Sequence, residues 1–125
     1  MEMGRLRRSF SCAIAGLIYC IKSEKNMKIH ILATILVVIA AVAVGLNPVE
    51  WGLLILTVFM VLVAETVNTA VEKTVDLVTT EYHPIAKLAK NVAAGAVLLA
   101  AIGSLVMAVV IFGPHIKLLI LSFKL

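Results

Sequence analysis

Between Arg5 and Lys28 the apolar residues Phe10, Ala13, Ile14, Leu17, Ile18 and Ile21 recur at steps of three and four, with Arg5, Arg7, Arg8, Lys22, Lys25 and Lys28 set among them. That period is a helical stripe with a basic polar face, and such a helix lies along a membrane surface. A signal peptide is the competing reading, but the apolar stretch is interrupted and further spans follow it. The pattern predicts a surface helix over about 5–27. From Ile29 to Leu46 the polar positions all but vanish. This run approaches the ~20 residues needed to cross a hydrocarbon core, and it predicts a first span over about 29–46.

Asn47-Pro48 then acts as both stop and start. Asparagine caps a helix, and proline fits the first turn, where its missing N–H costs nothing. The short link forces an antiparallel hairpin. The second span, over about 50–78, is uncharged from Trp51 to Ala64 and then acquires Glu65, Asn68, Glu72, Lys73 and Asp76. One continuous helix leaving the bilayer part-way along fits that change. Thr79 to Pro84 reads as a turn. A third span over about 86–112 begins with Lys87 and Lys90, and Gly113-Pro114 is expected to end or kink it. The tail from Ile116 to Leu125 is short and apolar.

Composition supports lipid as the second solvent. The 125 residues are 62% hydrophobic, with a mean hydropathy of +1.12, whereas soluble domains run to about 45–50% apolar. The expected fold class is therefore an all-α membrane protein of one domain, 1–125. Net charge is +4, but no aromatic platform is interleaved with the basic residues, which argues against nucleic acid. Cys12 and Cys20, eight residues apart on one helix, would lie about 12 Å apart, beyond the usual disulfide reach of about 7 Å. The basic residues before the first span, with Lys73, Lys87 and Lys90, outweigh Lys117 and Lys124 in the tail. By the positive-inside rule the N-terminus and the 65–90 region are cytoplasmic and the C-terminus is outside.

Glu65, Asn68, Glu72 and Asp76 are spaced by three, four and four residues and share one helix face. Carboxylates stacked this way repel one another unless cations hold them, and ionisable groups at membrane depth are expensive. A solvated helix exit is the bland alternative. Hard oxygen donors without cysteine favour Mg²⁺, or Mn²⁺, over zinc. Glu24, just before the first span, lies at the same interface and is a candidate partner for Glu72. No P-loop and no protein-kinase signature is present. His30, at the mouth of the first span, reads as an interface or packing histidine rather than a ligand, and His115 as a residue without a partner. A cation carrier would need a polar route across the second span, where 51–64 offers only Thr57.

The run Glu65-Thr66-Val67-Asn68-Thr69-Ala70-Val71-Glu72-Lys73-Thr74-Val75-Asp76 resembles the E-x-x-N-[ST]-A-x-E-x-x-x-D signature of the prokaryotic diacylglycerol kinase family. Glu81-Tyr82-His83, Ala89-Lys90 and Ala93-Ala94-Gly95-Ala96-Val97-Leu98 continue the match. The segment from Ser23 to His30 is similar to the Gram-positive branch, whose members act chiefly on undecaprenol; the Gram-negative branch uses diacylglycerol. The resemblance implies a homotrimer of three-span subunits, each with a surface helix, and composite sites between neighbours. It implies an ATP- and Mg²⁺-dependent lipid kinase with Glu65 as general base and Glu24 and Glu72 as metal ligands. Asn68 would position the γ-phosphate or the base, Lys90 and Arg5 would meet phosphate charge, and Asp76, Glu81 and His83 would help hold nucleotide. Where the family usually has aspartate after the lysine, this chain has Asn91, which keeps hydrogen-bonding capacity at the nucleotide but loses a charge.

Overall fold

A computed structural model describes residues 2–123. They form four helices: α1 (Glu2–Ser23), α2 (Lys25–Val44), α3 (Pro48–Val78) and α4 (Pro84–Ser122), with no strand among the described residues. The last three are each long and apolar enough to cross a membrane. This is an all-α membrane architecture of three long helices and one amphipathic helix. Lys124 lies outside the described residues.

The apolar stripe of α1, including Phe10, Ile14 and Leu17, is left uncovered by the rest of the chain. Only its end is packed, where Cys20 is buried. Both cysteines are free. The helix ends earlier than the stripe predicts, because Glu24 takes an extended conformation (φ −94°, ψ 122°) and α2 starts at the next residue. Two backbone hydrogen bonds span this elbow. The Glu24 N–H donates to the Cys20 carbonyl at 3.0 Å, and the Lys28 N–H donates to the Glu24 carbonyl at 3.3 Å. Burial of Cys20 and Met27 on either side pins the bend.

Between α2 and α3 the link is as short as the sequence predicts. Gly45 adopts the left-handed conformation (φ 75°), and its N–H donates to the Ala41 carbonyl, closing α2. Asn47 Oδ1 accepts from the N–H groups of Val49 and Glu50 at 2.9 and 3.0 Å, while the Glu50 carboxylate accepts from the Asn47 N–H at 2.9 Å. This reciprocal box satisfies donors that would otherwise be orphaned at the helix start. Near this end Ala41, Leu46, Leu54 and Ile111 form the buried core, packed by Trp51 and Phe112.

Helices α3 and α4 share the longest interface. On α4 the structure differs from the sequence reading in two places. It does not end at Gly113-Pro114 but runs on to Ser122 with Pro114 inside it. A proline removes one ladder bond, here to the carbonyl of Val110 four residues back. The neighbouring residue, His115, is not without a partner. Its Nε2 lies 3.0 and 3.1 Å from the two carboxylate oxygens of Glu50 on α3. That contact ties the helix to its neighbour directly after the proline.

Candidate active site

Glu65, Asn68 and Thr69 are buried on α3, with Glu65 only 2% and Asn68 5% exposed. Their neighbours explain why the carboxyl group stays without a partner. Threonines on this helix turn their hydroxyls back onto their own chain: Thr66 donates to the Leu62 carbonyl at 2.8 Å and Thr69 to the Glu65 carbonyl at 3.0 Å. No hydroxyl is left for the carboxyl group. Asn68 Nδ2 donates to Glu72 Oε1 at 3.2 Å, one turn on. Glu65 Oε2 and Asn68 Oδ1 are buried without any hydrogen-bond partner among the described residues. An unpaired buried acceptor costs free energy unless something arrives to satisfy it.

The elbow at Glu24 delivers the third carboxylate. Glu24 stands at the N-cap position of α2, yet its side chain caps nothing. It reaches across to Lys73 on α3, with Oε1 3.5 Å from Nζ. The same ammonium sits 5.7 Å from the ring centre of Tyr19 on α1. Lys73 thus ties α1, the elbow and α3 together. The charges of Glu24 and Glu72 and the imidazole of His30 all lie within electrostatic reach of Glu65. His30, which the sequence suggested as a packing residue, has Nε2 3.9 Å from Glu65 Oε2. A signal was present: an ionisable side chain opening an otherwise apolar span is a functional candidate in its own right.

At the α3–α4 turn a cleft of about 370 Å³ collects Asp76, Glu81, His83, Lys90 and Asn91 among its lining residues. Lys90 Nζ pairs with Asp76 Oδ1 at 2.5 Å across the two helices. His83 Nδ1 accepts from the Ile85 N–H at 3.3 Å and so caps α4. Asp76 lies eleven residues beyond Glu65, about 16 Å along the helix. The acidic group and the turn cleft therefore follow one another along α3. Arg5 is not brought to either. It is exposed on α1, nineteen residues before Glu24, or about 28 Å along that helix.

No three His, Cys, Asp or Glu side chains among the described residues converge closely enough to hold a metal unaided. Mg²⁺ commonly takes one or two carboxylates and completes its shell with water and phosphate oxygens. Glu24 and Glu72 supply hard oxygens of this kind, and the unpartnered Asn68 Oδ1 adds a neutral acceptor next to Glu72. The donor set fits Mg²⁺.

Residues 11–112 match the family model described as prokaryotic diacylglycerol kinase. The chain belongs to that family. It is 37% identical to an undecaprenol kinase of Bacillus subtilis over 92% of this chain and 94% of that protein. It is 42% identical to a diacylglycerol kinase of Synechocystis over 78% of this chain and 57% of the relative. Against a diacylglycerol kinase of Escherichia coli K12 the identity is 31%, over 66% of this chain and 68% of the other. The family match takes in the elbow, the carboxylate face and the turn cleft, and stops just before Gly113-Pro114. Arg5 and the part of α4 beyond Phe112 lie outside it.

Proposed function

We propose that this protein is a lipid kinase of a bacterial cell membrane that transfers the γ-phosphoryl group of ATP to undecaprenol, giving undecaprenyl phosphate. The observation that carries the reading is the buried Glu65 carboxylate with a free oxygen, set beside Glu24 and Glu72 on helices long enough to span a membrane. Glu65 accepts the proton of the lipid hydroxyl as its oxygen attacks the phosphorus. Glu24 and Glu72 would hold Mg²⁺, which supplies charge neutralisation on the phosphate oxygens when bound. Asn68, anchored to Glu72, orients the γ-phosphate or the base. Lys90 releases Asp76 to meet phosphate charge, and Asp76, Glu81, His83 and Asn91 hold the nucleotide at the turn. Positioning and charge neutralisation supply most of the acceleration in such transfers.

The active end faces the cytoplasm, where ATP is available, and the C-terminus lies outside, in line with the placement of lysine and arginine. A homotrimer with composite sites accounts for Arg5. Remote from the carboxylates of its own chain, it meets phosphate in a neighbouring subunit. The uncovered apolar faces of α1, α2 and α4 leave room for such packing.

Diacylglycerol is the second substrate reading, since the Synechocystis and Escherichia coli relatives are named for it. Purified protein in detergent micelles, given ATP, Mg²⁺ and either lipid, is expected to form undecaprenyl phosphate faster than phosphatidic acid. Failure to phosphorylate either lipid would sink the kinase reading.

A further inference from the structure

His30 and Glu65 face each other across a gap of particular width. Nε2 and Oε2 are 3.9 Å apart, too far for a hydrogen bond between them. The spacing suits a third atom. An oxygen placed about 2.8 Å from each of them sits about 2 Å to one side of the line that joins them. Glu65 Oε2 is buried and unpartnered, so its hydrogen-bonding capacity is unspent. The His30 side chain is largely covered, and its backbone carbonyl is fixed by the Thr34 hydroxyl at 2.8 Å.

His30 also lines a cavity of about 210 Å³ between α2, α3 and α4, along with Thr34, Thr57, Val61, Ser104 and Ile111. This cavity is mostly apolar. Thr34, Thr57 and Ser104 each donate their hydroxyl back to a carbonyl of their own helix, at 2.8, 2.7 and 2.7 Å. Their walls therefore offer no free donor that would demand a polar occupant. A chain alcohol has the matching shape, with a single hydroxyl at the head and hydrocarbon behind it.

We infer that His30 and Glu65 together form the seat of the substrate hydroxyl, with the hydrocarbon next to that hydroxyl lodged in the cavity. The inference rests on the lipid-kinase reading and deepens it. Glu65 Oε2 accepts the hydroxyl proton, and His30 Nε2–H donates to the same oxygen and fixes its approach. During transfer the O–H bond breaks toward Glu65, the alcohol oxygen forms its bond to the γ-phosphorus, and ADP leaves with the electrons of the broken P–O bond. His30 gives up no proton and acts by holding the oxygen. Glu24 and Glu72 are the other charged groups that act on Glu65.

Steady-state kinetics of the full chain in micelles test this, with undecaprenol and a diacylglycerol as the lipids used. In His30→Ala the KM for lipid should rise and kcat/KM for lipid should fall roughly tenfold to a hundredfold, the effect of one lost hydrogen bond to a charged or reacting partner. The KM for ATP should stay at the wild-type value, which also reports an intact fold. His30→Gln, whose amide N–H reaches a similar point, should recover most of the loss. In a Glu65→Gln background His30→Ala should cost little more, because the two act on one atom. An unchanged lipid KM in His30→Ala, or a glutamine variant as poor as alanine, overturns the seat while leaving the kinase reading intact. Wild-type protein that phosphorylates neither lipid overturns the kinase reading instead.

Discussion

Two glutamate–histidine pairs occupy the two halves of α3, and they are built differently. At one end Glu50 meets His115 at 3.0 and 3.1 Å, and one of its oxygens also closes the capping box with Asn47. Every strong acceptor there has a donor. About 22 Å along the helix, Glu65 is more deeply buried than Glu50, yet its Oε2 stands 3.9 Å from His30 with no partner. The same two side-chain types make a closed clasp in one place and an open seat in the other. On the proposed reading, unsatisfied burial marks the reactive half and satisfied geometry the structural one.

The largest effect should come from the open pair. Glu65→Gln keeps shape and removes the basic oxygen, so kcat should fall by about 10²–10⁴-fold, the usual worth of a positioned general base. Its melting midpoint in detergent should stay at or above that of wild type, since a buried charge is gone. A Glu65→Gln variant with near-normal turnover would put the base elsewhere. Next comes the cation. Chelation with EDTA should stop turnover, and Glu72→Gln should raise the Mg²⁺ concentration for half-maximal rate by about tenfold, equivalent to about 1.4 kcal/mol of lost ligation. A variant with the wild-type Mg²⁺ titration would remove Glu72 from the ligand set.

Third, Lys90→Met should raise the KM for ATP by about tenfold through loss of one charge-assisted contact, with the KM for lipid unchanged. A shift in the lipid KM instead would move Lys90 from the nucleotide to the acceptor. The closed pair should behave in the opposite way to the open one. His115→Ala should lower the melting midpoint by a few degrees and leave kcat where it was, because the clasp touches no reacting atom. A fall in kcat without a fall in midpoint would erase the contrast between the two pairs. Smallest of all, Asn91→Asp should change the KM for ATP downward by no more than about fivefold, the range of a single exposed charge. ATP titration reads it directly.

The carboxylate face was legible because it is periodic. Glu65, Asn68, Glu72 and Asp76 lie on one stretch of chain, and helical geometry alone aligns them. The Asn47 cap was legible for the same reason, since all its partners are within three residues. The elbow at Glu24 was not. No glycine or proline marks it, and the helix yields there because Cys20 and Met27 pack on either side. Tertiary burial overrode local propensity. His30 beside Glu65, and His115 with Glu50 sixty-five positions away, depend on how separate helices pack, and no local pattern encodes that. The passage of α4 through Pro114 was hidden likewise. The contact that follows it is made with Glu50 on α3, distant in the sequence.

The length of α4 carries a consequence for where the protein can work. Its 39 residues extend about 58 Å at 1.5 Å per residue, nearly twice a 30 Å hydrocarbon slab. Because His115 fastens its far portion to the start of α3, it cannot shed the surplus by unwinding there. The helix must lean, stand proud of the lipid, or stretch the leaflet around it, each at a modest cost per ångström of mismatch. Turnover in vesicles of graded acyl-chain length should therefore peak toward the thicker bilayers, making membrane depth itself a control on the enzyme.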